Sequence, residues 1–95
     1  MKRARKLVHE KVGGEPYEYY PVGRYIVIAP GVCGGRPTFK YTRIDVQHAL
    51  RLVAGGRPVE RVAQDYEIPI AAVREALALA AKAFEQKSQT LVERV

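Results

Sequence analysis

The stretch PGVCGGRPTFKYTRI, residues 30–44, restricts the fold of this 95-residue chain more than any other feature. Three glycines, two prolines and the only cysteine fall within these fifteen positions. Gly34 and Gly35 can take a positive φ without penalty, whereas Pro37 fixes its own φ and holds Arg36 extended. The four residues therefore predict a rigid structural corner that lays the following segment against later parts of the chain.

Other chemistry at this corner is poorly supported. A phosphate-binding loop would need a GK[ST] ending and a helix after it, and Pro37 removes one of the amides that would bind the phosphate. Cys33 as a nucleophile would need a neighbouring base, yet His9 and His48 stand in no recognisable spacing to it. Cys33, His9 and His48 are also too few and too widely spaced to be the four ligands of a structural zinc site. We therefore predict no catalytic residue, no metal and no cofactor, and expect Cys33 to be a small buried residue in a tight turn.

The first half of the chain has the composition of short strands. Leu7, Val8 and Val12 indicate a short strand before a Gly-Gly turn, and EPYEYYP (15–21) predicts an extended, partly exposed loop. RYIVIAP (24–30) is rich in β-branched residues and predicts a buried strand. TFKYTRIDV (38–46) alternates with a period of two, which predicts a second strand or an extended arm.

From Asp45 onward the pattern is helical. Asp45 is a suitable N-cap for a helix over 46–54 that Gly55 and Gly56 would end. Pro58 suits the first turn of a second helix, 58–66, and the longest helix is predicted over 70–87. The expected fold class is α+β, mostly α: N-terminal strands or a hairpin, then a three-helix, homeodomain-like helix-turn-helix bundle. The single domain divides into a basic arm (1–12), a strand and loop region (13–44) and the bundle (45–95).

Positive charge is concentrated in two segments of a chain whose net charge is +6. Residues 1–12 carry five basic groups and one acidic group, and residues 36–61 carry six basic and two acidic groups. Clustered positive charge favours a polyanionic partner, with nucleic acid foremost, although an inert basic surface remains an alternative.

The sequence shows no targeting signal. The start lacks the apolar region of a signal peptide, no apolar stretch is long enough to span a membrane, and one cysteine cannot form an internal disulfide. A cytoplasmic location is expected.

Residues 25–86 resemble the domain-of-unknown-function 433 family. The resemblance rests on a Cys-Gly-Gly-Arg-Pro corner, a Thr-Arg-Ile strand, a glycine before a short helix that ends in tyrosine, and an alanine-rich last helix. The matching residues are Gly34, Arg36, Pro37, Thr42, Arg43, Ile44, Gly56 and Tyr66. Tyr41 stands where many members have glycine, so we expect a strand-like edge at Tyr41 in place of a turn. The resemblance implies a dimeric helix-turn-helix protein that binds operator DNA and acts as the antitoxin to a PIN-domain, ribonuclease-like toxin; it transfers no catalytic residue.

Two functional hypotheses follow. In the first, the third helix enters the major groove of DNA with Ala71, Ala72, Arg74 and Glu75 foremost, and Arg74 contacts guanine. The cations expected at the phosphate backbone are Arg57 and Arg61 on the second helix and Lys40 and Arg43 on the strand. An arm of Lys2, Arg3, Arg5 and Lys6 is expected along the backbone or in the minor groove. For Arg36 and Arg43, internal acceptors and phosphates both remain open.

In the second hypothesis the chain is a protein-interaction module that binds no DNA. The long third helix carries more apolar surface than a small core needs, including Leu77, Leu79 and Phe84, and could form a dimer seam. The tyrosines of the predicted loop, Tyr17, Tyr19 and Tyr20, could form a toxin-binding patch or could cover the sheet. No constellation of residues supports an enzyme.

Overall fold

A computed structural model describes residues 6–93 as a four-stranded antiparallel sheet followed by three helices. The strands are β1 (Val8–Val12), β2 (Glu15–Pro21), β3 (Ile26–Ile28) and β4 (Pro37–Phe39), in the order β1-β2-β3-β4. The helices are α1 (Val46–Ala54), α2 (Val59–Tyr66) and α3 (Ile70–Glu93). The predicted α+β class, with strands first and helices after, is confirmed.

The segment 15–21 is a strand, so the prediction of a loop was wrong. Gly13 and Gly14 take positive φ values of 58° and 83° and reverse the chain, so that Val12 pairs with Glu15. The hairpin then runs on until Val8 faces Tyr19. The prolines and tyrosines suggested an irregular segment, but pairing with β1 on one side and β3 on the other supplies the hydrogen bonds that define a strand.

The segment after the corner is much shorter as a strand than predicted. β4 ends at Phe39, and Tyr41 has a φ of 68°, in the left-handed region. The Thr42 hydroxyl stabilises the turn, because it donates to the Phe39 carbonyl at 2.7 Å and accepts from the Ile44 amide at 3.0 Å. The expectation of a strand-like edge at Tyr41 was therefore wrong, since the chain must turn here to reach α1.

The helices begin and end close to their predicted residues. The Asp45 carboxylate accepts from the Gln47 amide at 2.9 Å, which confirms it as the N-cap of α1. Pro58 precedes α2 as its N-cap and is not part of the first turn. Glu67 ends α2 in the left-handed conformation, with φ 57° and ψ 44°. α3 continues to Glu93, past the predicted end at residue 87.

One core joins the inner edge of the sheet to all three helices. Ile26 and Phe39 from the strands meet Val62 of α2 and Val73 of α3, and none of these side chains is more than 1% exposed. Tyr19, Val27 and Ala29 form a second, smaller cluster. None of the helices within residues 6–93 is both long and apolar enough to cross a membrane.

Candidate nucleic-acid interface

The glycine-rich corner is a bend of the predicted kind. Cys33, Gly34 and Gly35 have consecutive positive φ values of 50°, 63° and 81°, and Arg36 follows in an extended conformation, with φ −78° and ψ 156°. The Cys33 thiol is half-buried, less than predicted, and donates to the Arg43 carbonyl at 3.1 Å. The corner therefore consists of backbone turns, and the thiol connects it to the turn that follows β4.

Arg36 has an internal acceptor, which decides between the two alternatives that the sequence left open. Its Nε donates to Oδ2 of Asp45 at 2.8 Å, and this bond is the main reason that the pKa of the Asp45 carboxyl is lowered. The same carboxylate also caps α1. Arg43, by contrast, has an exposed side chain on the turn that follows β4.

Lys40 lies in a network that the sequence did not predict. Its ammonium is 5.1 Å from the ring centroid of Tyr19 and 5.0 Å from that of Tyr41. The hydroxyls of Tyr19 and Tyr41 donate to the Glu10 carboxylate at 2.6 and 2.8 Å and lower the pKa of that carboxyl. Because Lys40 is half-buried beside an anion, its charge is less available to a phosphate than that of an exposed lysine. The sequence carries no local signal for this network, because Glu10, Tyr19 and Lys40 come from three separate segments.

Arg57 and Arg61 share one carboxylate of α2, but only Arg61 is on that helix as predicted, because Arg57 precedes the N-cap Pro58. Nη1 of Arg57 lies 3.0 Å from Oδ2 of Asp65, and Nε of Arg61 lies 3.2 Å from Oδ1. Both guanidinium groups stay largely in solvent, with 47% and 65% of their side chains exposed. One anion between two cations leaves this surface positive.

The first turns of α3 point in two directions, which corrects part of the prediction. Ala71 and Arg74 are exposed, but Ala72 is 1% exposed and packs in the core. The Glu75 carboxylate accepts from the backbone amides of Arg24 and Tyr25, both at 2.8 Å. Ala72 and Glu75 therefore face the protein. One side of α3 is buried, so only the residues on the other side of its first two turns are exposed to solvent.

A groove of about 410 Å³ lies beside the start of α3. It brings Lys40 close to the turn between α2 and α3 and adds Arg24, a cation that sequence reasoning missed. Its lining consists of Arg24, Tyr25, Phe39, Lys40, Tyr41, Ile68, Pro69 and Ala72. The sheet thus contributes positive charge next to α3 from residues that are distant in sequence.

The residues predicted for partner binding do not form one surface. Tyr19 is 3% exposed, and Tyr17 and Tyr20 are half-buried, which favours the alternative in which these tyrosines cover the sheet. Leu77 and Leu79 are half-buried, and Leu79 packs against the core. Phe84, in contrast, is 73% exposed.

Part of the predicted basic arm lies outside the described residues. Lys6 is exposed at the start of the described chain, whereas Lys2, Arg3 and Arg5 precede it.

Within residues 6–93 no three His, Cys, Asp or Glu side chains come together as ligands of a metal ion would.

Comparison with known proteins gives one match. The model of a family described as "Protein of unknown function (DUF433)" matches residues 26–80, more than half of the chain. This chain belongs to the DUF433 family. No curated protein and no solved structure matches it.

The DUF433 match defines which parts of the structure the family pattern includes. It spans β3, the corner, β4, α1, α2 and the first part of α3. The hairpin of β1 and β2 and residues 81–93 of α3 lie outside it. Within the match, the positive φ at Tyr41 is a conformation that glycine would adopt without steric cost.

Proposed function

We propose that this protein is a DNA-binding regulator of the antitoxin type, in which α2, the turn at residues 67–69 and α3 act as a helix-turn-helix. The observation that carries the proposal is the arrangement of the first turns of α3. Ala72 and Val73 hold the helix on the core, while Ala71 and Arg74 are presented to solvent next to a short turn. A recognition helix needs this combination of a fixed inner face and accessible N-terminal side chains.

Arg74 is the residue proposed to contact base edges. An exposed arginine on the N-terminal part of a recognition helix can form a bidentate pair with guanine O6 and N7, worth about 1–3 kcal/mol of discrimination. Ala71 can add methyl contact only. Sequence preference is therefore expected to depend strongly on one side chain.

The phosphate contacts are assigned to surfaces that flank α3. Arg61 stands on α2 and Arg57 lies just before the N-cap of that helix, both with exposed side chains. Arg24 lines the groove beside the start of α3 together with Lys40, whose charge Glu10 partly offsets. The net charge of +6 supplies a general attraction for the phosphate backbone. Because contacts of this kind release counterions, binding should weaken steeply with salt.

The antitoxin part of the proposal takes its partner from the family resemblance, a PIN-like ribonuclease toxin. The sheet offers a surface for it that shares Tyr41 with the groove beside the start of α3. A hollow of about 370 Å³ has Val12, Tyr17, Tyr41 and Arg43 among its lining residues. Val12 is 41% and Tyr41 53% exposed, and tyrosine and arginine are enriched at the centres of protein interfaces.

The alternative is a protein-interaction module that binds no DNA. It is favoured by the last part of α3, where Phe84, Leu91 and Val92 are 73%, 59% and 72% exposed. A chain that used this surface alone would have no need for Arg74. The two functions therefore differ in what the loss of Arg74 should do.

The test measures binding of the full chain to DNA from upstream of its own gene and to a scrambled duplex, by fluorescence anisotropy over a range of salt. Arg74→Ala should remove most of the preference for the upstream DNA, by about 5- to 150-fold. Lys82→Ala, which removes one exposed positive charge farther along the same helix, is the matched control and should keep the preference. Equal binding of both duplexes by the unsubstituted protein would reject DNA recognition and leave the interaction module.

The toxin is tested separately. The chain is expressed together with the product of the neighbouring gene, and the two are purified through a tag on one of them. Recovery of both proteins, lost in Val12→Asp and retained in Arg74→Ala, is the expected result. Failure to recover the neighbour would count against the antitoxin role and leave DNA binding unaffected.

A further inference from the structure

The groove beside the start of α3 has an apolar floor that phosphate contacts do not explain. Phe39 of β4 and Ala72 of α3 line it, and each is only 1% exposed, so they form its deepest part. The turn between α2 and α3 adds Ile68 and Pro69 to the lining. A phosphate group of DNA accepts hydrogen bonds through its oxygens and would not use this floor. The groove therefore fits a ligand with an apolar body.

The charge of the groove is positive. Arg24 and Lys40 are the charged residues of its lining, and both are cations. Arg24 is exposed and forms no ion pair within residues 6–93, whereas Glu10 offsets part of the charge of Lys40. The carboxylate of Glu75 is not part of the lining, and it accepts from two backbone amides. Arg24 is therefore the main cation available to a ligand, and a guanidinium can hold a carboxylate through two parallel hydrogen bonds.

Aromatic rings surround the two cations. The guanidinium of Arg24 is 5.5 Å from the ring centroid of Tyr25, and the ammonium of Lys40 is 5.0 Å from that of Tyr41. Phe39 is a third aromatic residue of the lining, and Tyr41 is 53% exposed. Aromatic groups pack against one another in stacked or edge-to-face arrangements. A ligand with an aromatic ring would gain more from these neighbours than a ligand with an aliphatic chain.

Hydrogen bonds between separate segments hold the walls of the groove in place. Glu75 of α3 accepts from the amides of Arg24 and Tyr25 at 2.8 Å, and the Lys40 amide donates to the Tyr25 carbonyl at 2.8 Å. The loop before β3, the turn after β4 and α3 are thereby connected. Sites for small molecules are largely preformed hollows of about 300–1,000 Å³. The groove, at about 410 Å³, has the size of a small-molecule site.

We propose that the groove beside the start of α3 binds a small aromatic monocarboxylate. The ring of the ligand lies over Phe39 and Ala72, and its carboxylate pairs with the guanidinium of Arg24 on the side of the groove that also contains Lys40. This binding does not depend on the proposed function. The ligand would also compete with DNA for Arg24 and Lys40, and only that consequence rests on the proposed function.

The experiment is a titration of the isotopically labelled full chain with cinnamate, followed in two-dimensional proton–nitrogen correlation spectra. A protein of 10.6 kDa is well suited to this method. The amides of Tyr25, Lys40 and Ile68 are expected to shift until they saturate, and those of α1 to shift little. Cinnamamide has the same ring without the charge, and acetate has the charge without the ring. Each should bind at least about tenfold more weakly than cinnamate.

A substitution tests the role assigned to Arg24. Arg24→Gln should weaken cinnamate binding at least about tenfold, because the charged partner of the carboxylate is lost. Arg51→Gln, which removes the same charge from the exposed surface of α1, is the matched control and should bind cinnamate like the unsubstituted protein. The side chain of Arg24 is exposed, so the fold should survive, and the spectrum of each variant checks this.

Four results would overturn the proposal. They are shifts that do not saturate or that centre on another surface, equal binding of cinnamamide, equal binding of acetate, and an Arg24→Gln variant that binds cinnamate unchanged. Equal binding of cinnamamide would indicate an apolar groove without a role for charge, and equal binding of acetate a general anion site. The titration contains no DNA, so a failure of DNA recognition would leave its result unaffected.

Discussion

The guanidinium of Arg36 and the carboxylate of Asp45 are joined by a hydrogen bond of 2.8 Å between Nε and Oδ2. Arg36 leaves the glycine-rich corner, and Asp45 starts α1 as its N-cap. A backbone bridge between Thr38 and Asp45 connects the same two segments. The corner is therefore tied at one point to the first helix, and the sheet and the helices meet in a defined orientation.

Stability at acid pH should depend on Asp45. Because Arg36 lowers the pKa of this carboxyl in the folded protein, the stabilisation is present above the ordinary pKa of an aspartate and is lost as the pH falls through the lowered value. Asp45→Asn keeps a capping oxygen but has no charge, so its unfolding free energy should fall less between pH 5 and pH 2, in urea titrations, than that of the unsubstituted protein. Asp45→Ala, which also loses the cap, should be about 1 kcal/mol less stable than Asp45→Asn at pH 7. Equal acid sensitivity of the Asn variant and the unsubstituted protein would contradict this role.

At Tyr41 a glycine substitution is expected to leave the protein more stable than an alanine substitution, the reverse of the usual order of stability. A φ of 68° disfavours any residue with a Cβ, whereas glycine adopts it freely. Tyr41→Gly and Tyr41→Ala both lose the ring contacts with Tyr17 and Lys40 and the bond to Glu10. Only the glycine variant also relieves the backbone, so it should be more stable than the alanine variant by about 1 kcal/mol in thermal or urea unfolding. An alanine variant as stable as the glycine variant would argue against a left-handed turn at this position.

Gly23 and Glu75 should be energetically coupled. A Cβ at Gly23 would lie 2.7 Å from the Glu75 carboxylate, which must then give up its bonds to the amides of Arg24 and Tyr25. Gly23→Ala and Glu75→Ala should each cost about 1–3 kcal/mol of unfolding free energy. In the Glu75→Ala background, Gly23→Ala should cost less than about 0.5 kcal/mol, because the bonds are already lost. Additive losses in the double variant would show that the two residues act independently.

If Arg57 and Arg61 contact phosphate, the native Asp65 carboxylate should lower the affinity of the protein for DNA. Its carboxylate neutralises part of the charge of both arginines. Asp65→Asn should therefore raise affinity for DNA about two- to fivefold at low salt and less at high salt. Glu85→Gln removes one negative charge from the last part of α3 and serves as the control, with a smaller expected effect. Equal effects of the two substitutions would indicate that only net charge matters.

Several features followed from local sequence because their causes lie within a few residues. The bounds of α1 depend on Asp45 at its start and on Gly55 and Gly56 at its end, all of which act on neighbouring backbone. The positive φ values at Gly34 and Gly35 and the extended Arg36 before Pro37 are likewise steric consequences of adjacent residues. Predictions of this kind were confirmed.

The candidate site was less predictable. Arg57, Arg61 and Arg74 are exposed, as a surface role for them requires, but Ala72 and Glu75 face inward. The periodicity of α3 shows that one face is buried, yet which of its first residues turn outward depends on the loop at Gly23 that packs against it. Arg24, which lines the groove beside α3, carried no signal because its neighbours there come from distant parts of the chain.

The sequence by itself determined where helices start, that the chain bends at Gly34–Pro37 and that positive charge is concentrated, since backbone sterics, capping and composition act locally. Only the tertiary structure decided that 15–21 is a strand, that Tyr41 is forced into a left-handed turn, and that Arg36 and Lys40 lie beside Asp45 and Glu10. Each of these depends on residues brought together from separate segments. Their free energy comes from pairing and burial, which a single segment cannot supply.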